Sequence, residues 1–413
     1  MSLIKPFAGL CPTPGRALEV AAPPYDVMSP QEARRMVAGR PHSFLHISRP
    51  EVDLSEDTDP YAPQVYAKAR ENLDRMVAEG VLVRDAAPCY YVYRLTRGEH
   101  VQTGLAVTAS VAAYEVDRIR KHELTRPVKE DDRVRQIDAL DAQTGPVFLV
   151  YKRTSVIDDT LATLSRSVPA LDIKAQDGVR HELWVVDDGV TIDRLSAAFE
   201  QLDGLYVADG HHRSAAAARV AAARKAANPN HTGDESYNYF LSVVFPHDQL
   251  RILDYNRVVK DLHGLDAETF LNRLRVSFAV TPSPVPVAPT RPAEFGMYLE
   301  AGWYRLTLDA RRIPRNDPVG RLDVSLLQEN LIGPILGIPD PRRDDRIGFV
   351  GGSRGLDWLA DQVDTGDMAV AFSLHPTPME ALMAVADAGE VMPPKSTWFE
   401  PKLADGLVSH LLD

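Results

Sequence analysis

The stretch VADGHHRSAAAARV (207–220) decides how this chain is read. It continues an apolar run, GLYVAD (204–209), with strand character, and it runs into an alanine-rich segment that favours helix. Its polar residues therefore occupy a strand-to-helix junction. The first turn of a helix carries unpaired backbone N–H groups and a partial positive charge. It attracts phosphate without help from side chains. Gly210 lets the backbone approach a ligand, while His211, His212 and Arg213 add donors. Asp209 ends the strand, where it can bind magnesium or accept a proton from an attacking hydroxyl. A plainer role for Asp209 is a helix cap worth ~1 kcal/mol. The density of donors in Asp-Gly-His-His-Arg favours the anion or nucleotide site.

Around this junction the apolar pattern alternates between strand and helix periods. Ser29 and Pro30 make a helix start. Val65, Ala69, Leu73, Met76 and Val77 form one helical face that Gly80 ends. CYYVYRLT and VQTGLAVTASVAAYEV read as two strands joined by RGEH, with further strands at 145–153, 181–188 and 237–245 and a helix at 191–202. The segment TPSPVPVAPTRP (281–292) has five prolines and is expected to be a linker or a surface excursion. A hairpin, an amphipathic helix at 323–337 and a strand–helix–strand–helix run follow. The implied class is α+β, a mixed α/β architecture, in two regions. Residues 1–245 form the phosphate- or nucleotide-binding region. Residues 246–413 form a second α/β domain whose C-terminal loop can return to the site.

Composition narrows the function. The chain has 413 residues, a net charge of −12 and no long basic run, so nucleic acid is not an expected partner. Only Cys11 and Cys89 occur, too few for a disulfide framework or a four-cysteine zinc site, which points to a reducing cytoplasm. The start MSLIKPFAGL lacks the apolar core of a signal peptide, and no apolar run is long enough to span a bilayer, so no membrane partner is expected.

Two other segments concentrate polar chemistry. KHELTRPVKEDDR (121–133) reads as a loop that supplies a base, Glu123, and phosphate contacts, Lys129 and Arg133, with His122 as a weaker substrate contact. Its plain alternative is a solvated charge cluster. MPPKSTWFEPK (392–402) offers Lys395, Ser396 and Thr397 as phosphate ligands, and Trp398 and Phe399 either stack on a base or pin the loop to a core. It lacks the glycine run of a Walker A loop. PPYDV places Tyr25 and Asp26 at a turn as weak substrate contacts. GGSRG (351–355) breaks the dinucleotide spacing and reads as a tight turn. Adjacent histidines on a helix point about 100° apart, so His211 and His212 seldom share a metal. His42 and His46 share a spacing of four, but SFLHIS (43–48) looks like a strand, so both read as structural. Neither a G-x-S-x-G elbow nor an H-R-D kinase signature is present.

APPYDVMSP, HELTRPVKEDDR, LYVADGHHR and VMPPKSTWFEPK occur in this order. Together they resemble the bacterial family catalogued as domain of unknown function 1015, over nearly the whole chain. The family often has glycine-proline before the lysine of the second motif, and here Pro127 and Val128 precede Lys129. PPYDV followed by ADGHHR is more distantly similar to the ParB–sulfiredoxin superfamily, which includes partition proteins, sulfiredoxins and free-serine kinases. Asp209, Gly210, His212 and Arg213 match its phosphate-holding turn, and His211 fills the variable position. That resemblance implies a ParB–sulfiredoxin-like nucleotide-binding core.

The expected function is phosphoryl transfer from a nucleotide tri- or diphosphate with magnesium to a small hydroxylated metabolite, serine first. His211, His212 and Arg213 would hold phosphates. Asp209 or Glu123 would be the base or magnesium ligand, with Lys129 and Lys395 neutralising charge. Arg213, Glu123 and Lys395 are expected to line one pocket. The alternatives are a nucleotide-binding regulator without turnover, and a phosphatase or nucleotide hydrolase.

Overall fold

Val147–Tyr151 reads VFLVY and is buried at every residue, as a strand covered on both faces must be. It lies between Leu205–Asp209, antiparallel to it, and Tyr239–Pro246, parallel to it. In the computed structural model, which describes residues 2–300 and 302–412, these strands belong to a nine-stranded sheet. The hairpin Tyr90–Arg97 and His100–Ser110 extends that sheet, followed by Arg180–Val186 and Leu171–Lys174. The VAAYE that follows the hairpin was expected to prolong its second strand. It is a short helix, Val111–Glu115, because the Ser110 hydroxyl accepts the Ala113 N–H and caps it.

The chain divides into two compact units, Met1–Leu250 with Pro401–Asp413, and Arg251–Glu400. The tail beyond Pro401, expected in the second region, thus belongs to the first unit. There its strand His410–Leu411 pairs with Ala142–Gln143, and Asp405 exchanges backbone hydrogen bonds with Ala22.

The expected helix at Ser29 is Pro30–Val37, closed by a full capping box with Glu32. The helix Pro63–Ala78 buries Val65, Ala69, Leu73 and Met76, while Val77 is exposed and Asn72 takes an inward place. SFLHIS is helical rather than extended over Leu45–Ser48, because Phe44, Leu45 and Ile47 all reach the core from one short turn. His42 and His46 are structural: His42 contacts Glu19 and Glu79, and His46 donates to Asp53 at 2.8 Å. The segment 121–133 is only half a loop. Proline at the first helical position starts the helix Pro127–Leu140, which carries Lys129, Asp132 and Arg133.

The alanine run has a packing reason. In His211–Ala227, Ala216 and Val220 meet Ile137 of the helix Pro127–Leu140, and Ala217 and Ala221 face the core beside Val207 and Leu149. Small side chains let this helix contact its neighbours on two sides at once. Arg219 bridges to Glu130 at 3.0 Å and Asp131 at 2.7 Å and fixes the pair of helices.

The second unit has a six-stranded antiparallel sheet in the order Phe278–Ser283, Gly302–Leu308, Glu294–Leu299, Val370–Leu374, Tyr255–Val259, Ile347–Gly351. The helices Gly355–Asp364 and Met379–Asp387 accompany it. The fold class is mixed α+β. The proline-rich stretch links no domains: it lies within this unit, and Pro282 sits on an edge strand, where its missing N–H breaks no central ladder.

Candidate functional site

The site grows from the end of Leu205–Asp209. The pairing with Val147–Tyr151 shifts register between Val207 and Asp209, a bulge that re-aims the last side chains of the strand. Gly210 follows with φ +99°, a conformation that side chains resist. A Cβ there would stand 3.1 Å from Nε and 3.2 Å from Cζ of Arg213. The helix His211–Ala227 then begins without any side-chain cap. Asp209 does not serve as that cap. Its Oδ1 accepts the Gly210 N–H at 2.9 Å, and its Oδ2 faces Arg213 and Lys402, each at 3.4 Å.

Asp209 is therefore a counter-ion. Although burial works against it, Lys402, Arg213 and the polar surroundings hold its carboxyl far below the usual range. A carboxylate so stabilised is a poor base. Magnesium does not fit beside it either, because both oxygens are engaged and two cations already face it.

Arg213 is turned inward. It is 8% exposed, its Nη1 donates to the Pro146 carbonyl, and its Nε is buried without a partner. His211 is also buried, at 4% exposure, and its ring meets that of His122 edge-on with centroids 4.4 Å apart. Burial keeps both rings neutral: His122 is lowered to about 4, and His211 lies well below its ordinary value. His212 accepts the backbone N–H of Arg126 at 3.0 Å and so ties the 121–126 loop to the helix start. The adjacent histidines diverge, as helical spacing requires.

Beside Arg213 lies a cleft lined by Tyr25, Arg133, Gln136, Thr144, Gly145 and Asp405, among others. Arg133 is held by Asp132 at 2.8 Å, which in turn accepts from Tyr66, and its guanidinium stacks 3.9 Å from the Tyr25 ring centre. Burial pushes the Tyr25 phenol up to about 12. Gly145 gives Arg213 room: a Cβ there would lie 3.3 Å from its Cδ. Asp405 is 2% exposed. Burial, with a contribution from nearby Asp26, raises its carboxyl to about 7 against the pull of Arg213 and Arg133.

Asp405 and Lys402 escaped sequence reading. Lys402 closes a motif noted for Lys395, but the ammonium that reaches Asp209 is its own. Nothing local marks Asp405. Its signal is tertiary, the paired bridge with Ala22 next to the PPYDV turn.

The remaining expected residues spread out. Lys129 donates to the Tyr61 hydroxyl at 3.0 Å. Asp26 is exposed. Glu123 stands 3.9 Å from His211 Nδ1. Lys395, Ser396 and Thr397 belong to the second unit. There the Lys395 ammonium stands 5.7 Å from the Tyr255 ring centre, and the Ser396 hydroxyl donates to the Pro393 carbonyl at 2.6 Å. Thr397 leads into the strand Trp398–Glu400, which pairs with Arg251–Leu253, and Phe399 is buried there at 2% exposure.

Among the described residues, no helix is long and apolar enough to cross a membrane. No curated protein matches the chain. Solved structures similar to it include a free serine kinase in complex with AMP, at 13% identity and TM-score 0.33 over 71% of this chain and 86% of that one. They also include SbnI with a C-terminal truncation from Staphylococcus aureus, at 13% identity and TM-score 0.36 over 73% and 85% of the two chains. A conserved hypothetical protein from Pyrococcus furiosus is similar at 13% identity and TM-score 0.34 over 75% and 95%. The model of the family described as "Protein of unknown function (DUF1015)" matches residues 4–325, and the chain belongs to that family.

Proposed function

We propose that the cleft beside Arg213 binds the phosphates of a nucleotide, and that the protein transfers a phosphoryl group to a small hydroxylated compound, with serine the first acceptor to try. One observation carries this reading: two guanidinium groups, Arg133 and Arg213, reach one cleft that also holds the buried carboxyl of Asp405. Phosphoryl transfer needs positive charge fixed around the transferring oxygens and a positioned hydroxyl, with little covalent work for the protein. Arg213 is locked by the Pro146 carbonyl and Asp209 and keeps its Nε donor unsatisfied. Arg133 is locked by Asp132 and the Tyr25 ring. Donors fixed in this way need little reorganisation when charge develops.

Asp405 takes the role expected of Asp209 or Glu123. A carboxyl raised to about 7 is matched to accepting a proton near neutral pH. The acceptor hydroxyl would give Asp405 its proton while its oxygen bonds to phosphorus and the bond to the nucleotide's leaving oxygen breaks. Asp209 stays ionised and holds Arg213 and Lys402 in place.

The test is a thermal-shift screen of nucleotides on the wild type and on Arg133→Gln, followed by phosphorus NMR with serine present. A nucleotide at a hundred times its dissociation constant adds about 2.7 kcal/mol of stability, and the variant should lose most of that shift. No stabilisation by any nucleotide would overturn the reading. Phosphate release without an acceptor would make the protein a hydrolase, and binding without any turnover would make it a regulator.

A further inference from the structure

We propose that His122, Glu123 and His211 bind a divalent transition-metal ion of the zinc class. One ligand atom from each of the three side chains lies within 4.8 Å of the others. His122 is 2% exposed, and its Nδ1 is buried without any hydrogen-bond partner. An orphaned buried nitrogen is unusual in a folded protein and calls for a missing partner. The same ring is hydrogen-bonded to the Val207 backbone, and with Nδ1 unpartnered that bond falls to Nε2. The Nε2–H is then anchored on a carbonyl, and Nδ1 presents a lone pair. Metal-binding histidines have this arrangement, one nitrogen on the ion and the other donating to a fixed oxygen.

His211 completes the pair. Its ring centre is 4.4 Å from that of His122, and its Nε2 meets the His122 backbone N–H at 3.5 Å, a contact weak enough to give up. Glu123 contributes the third ligand. Its Oε2 is 3.9 Å from His211 Nδ1, and its side chain is 44% exposed. Three ligands with bonds of roughly 2.1 Å must draw closer than the present spread. The movable member is Glu123, which lies in the irregular segment before the helix Pro127–Leu140.

The donor set selects the ion. Two imidazoles and one carboxylate suit zinc, manganese or iron(II), whereas magnesium and calcium prefer oxygen ligands. Three protein ligands leave a coordination position open to water or substrate. The site lies where His211 begins the helix that also carries Arg213. The inference does not rest on the phosphotransferase reading. Nucleotide binding is tested at Arg133 and the metal at Glu123, so either can fail alone.

The experiment uses untagged full-length protein stripped with a chelator. Zinc binding is measured by calorimetry and by elemental analysis after dialysis, and cobalt(II) binding by visible absorption. The wild type should take up one equivalent and give the intense bands of a low-coordinate cobalt site. Glu123→Gln changes an exposed side chain and should weaken zinc binding at least ~10-fold. His122→Ala should abolish it, with circular dichroism reporting its folding. Stripped wild type that takes up no metal would overturn the proposal, as would a Glu123→Gln protein that binds zinc as tightly as the wild type.

Discussion

Charge is spent differently in the two units. In the first, groups far apart in sequence come together in buried or half-buried places: Asp209 with Lys402, Asp405 with Arg213 and Arg133, His122 with His211. In the second, many ion pairs are local and solvated, such as Arg311–Asp309 at 2.5 Å and Arg342–Asp340 at 2.8 Å, where side chains two residues apart close a surface turn. Solvated local pairs add little stability and need no tertiary fold to form. Buried clusters require the fold to offset desolvation, and such arrangements persist where they do chemistry.

The largest expected effect breaks the buried cluster. Arg213→Met leaves Asp209 with Lys402 alone and removes the positive charge that acts most strongly on Asp405, and should cost ~3–5 kcal/mol in urea unfolding of the first unit. A cost below about 1 kcal/mol would mean that the cluster is solvated like the surface pairs.

Glycines sharpen the same contrast. Gly210→Ala meets both a positive φ and the Arg213 guanidinium, and should cost ~2–3 kcal/mol by denaturation. Gly366→Ala in the second unit has φ +81° with nothing within 4 Å, and should cost only ~1 kcal/mol. Equal costs would show that backbone strain alone, and not the packing against Arg213, sets the first value.

The pH dependence has a definite sign. The Asp405 carboxyl is raised from 3.8 to about 7 on folding, so its stabilising contribution is full below pH 4 and is lost as pH rises through 7. The wild type should therefore lose stability between about pH 4 and 7. Asp405→Asn should lose less by ~1–3 kcal/mol over that window, read from urea midpoints at each pH. Burial also raises Asp323 in the second unit to about 7, so Asp323→Asn should flatten the same window there. His122 acts oppositely. Its lowered value keeps stability full above about 6.5 and removes it as pH falls through about 4.

The smallest effect lies on the surface of the second unit. Arg342→Ala should leave the unfolding midpoint unchanged, and a clear drop would place that pair in a wider network than the pair with Asp340.

Local chemistry made much of the first unit legible. The junction at Asp209–Gly210, the Ser29 cap, the hairpin 90–110 and the strand 147–151 follow from turn residues, capping residues and apolar period, which act between near neighbours. Errors arose where a short apolar run fits both periods. SFLHIS and VAAYE alternate well enough for a strand, and packing at Phe44 and a cap at Ser110 made them helices.

The candidate site divides in the same way. The residues themselves marked Asp209, Gly210, His211 and Arg213 as an unusual helix start, because helix-end electrostatics and glycine stereochemistry operate within one turn. Tertiary structure alone brought Lys402 to Asp209, set Asp405 in one cleft with two arginines, and packed His211 against His122. No spacing in a sequence encodes those meetings. They depend on which strands pair and where the tail returns, and burial, which sets the protonation of His122 and Asp405, exists only once the chain has closed around them.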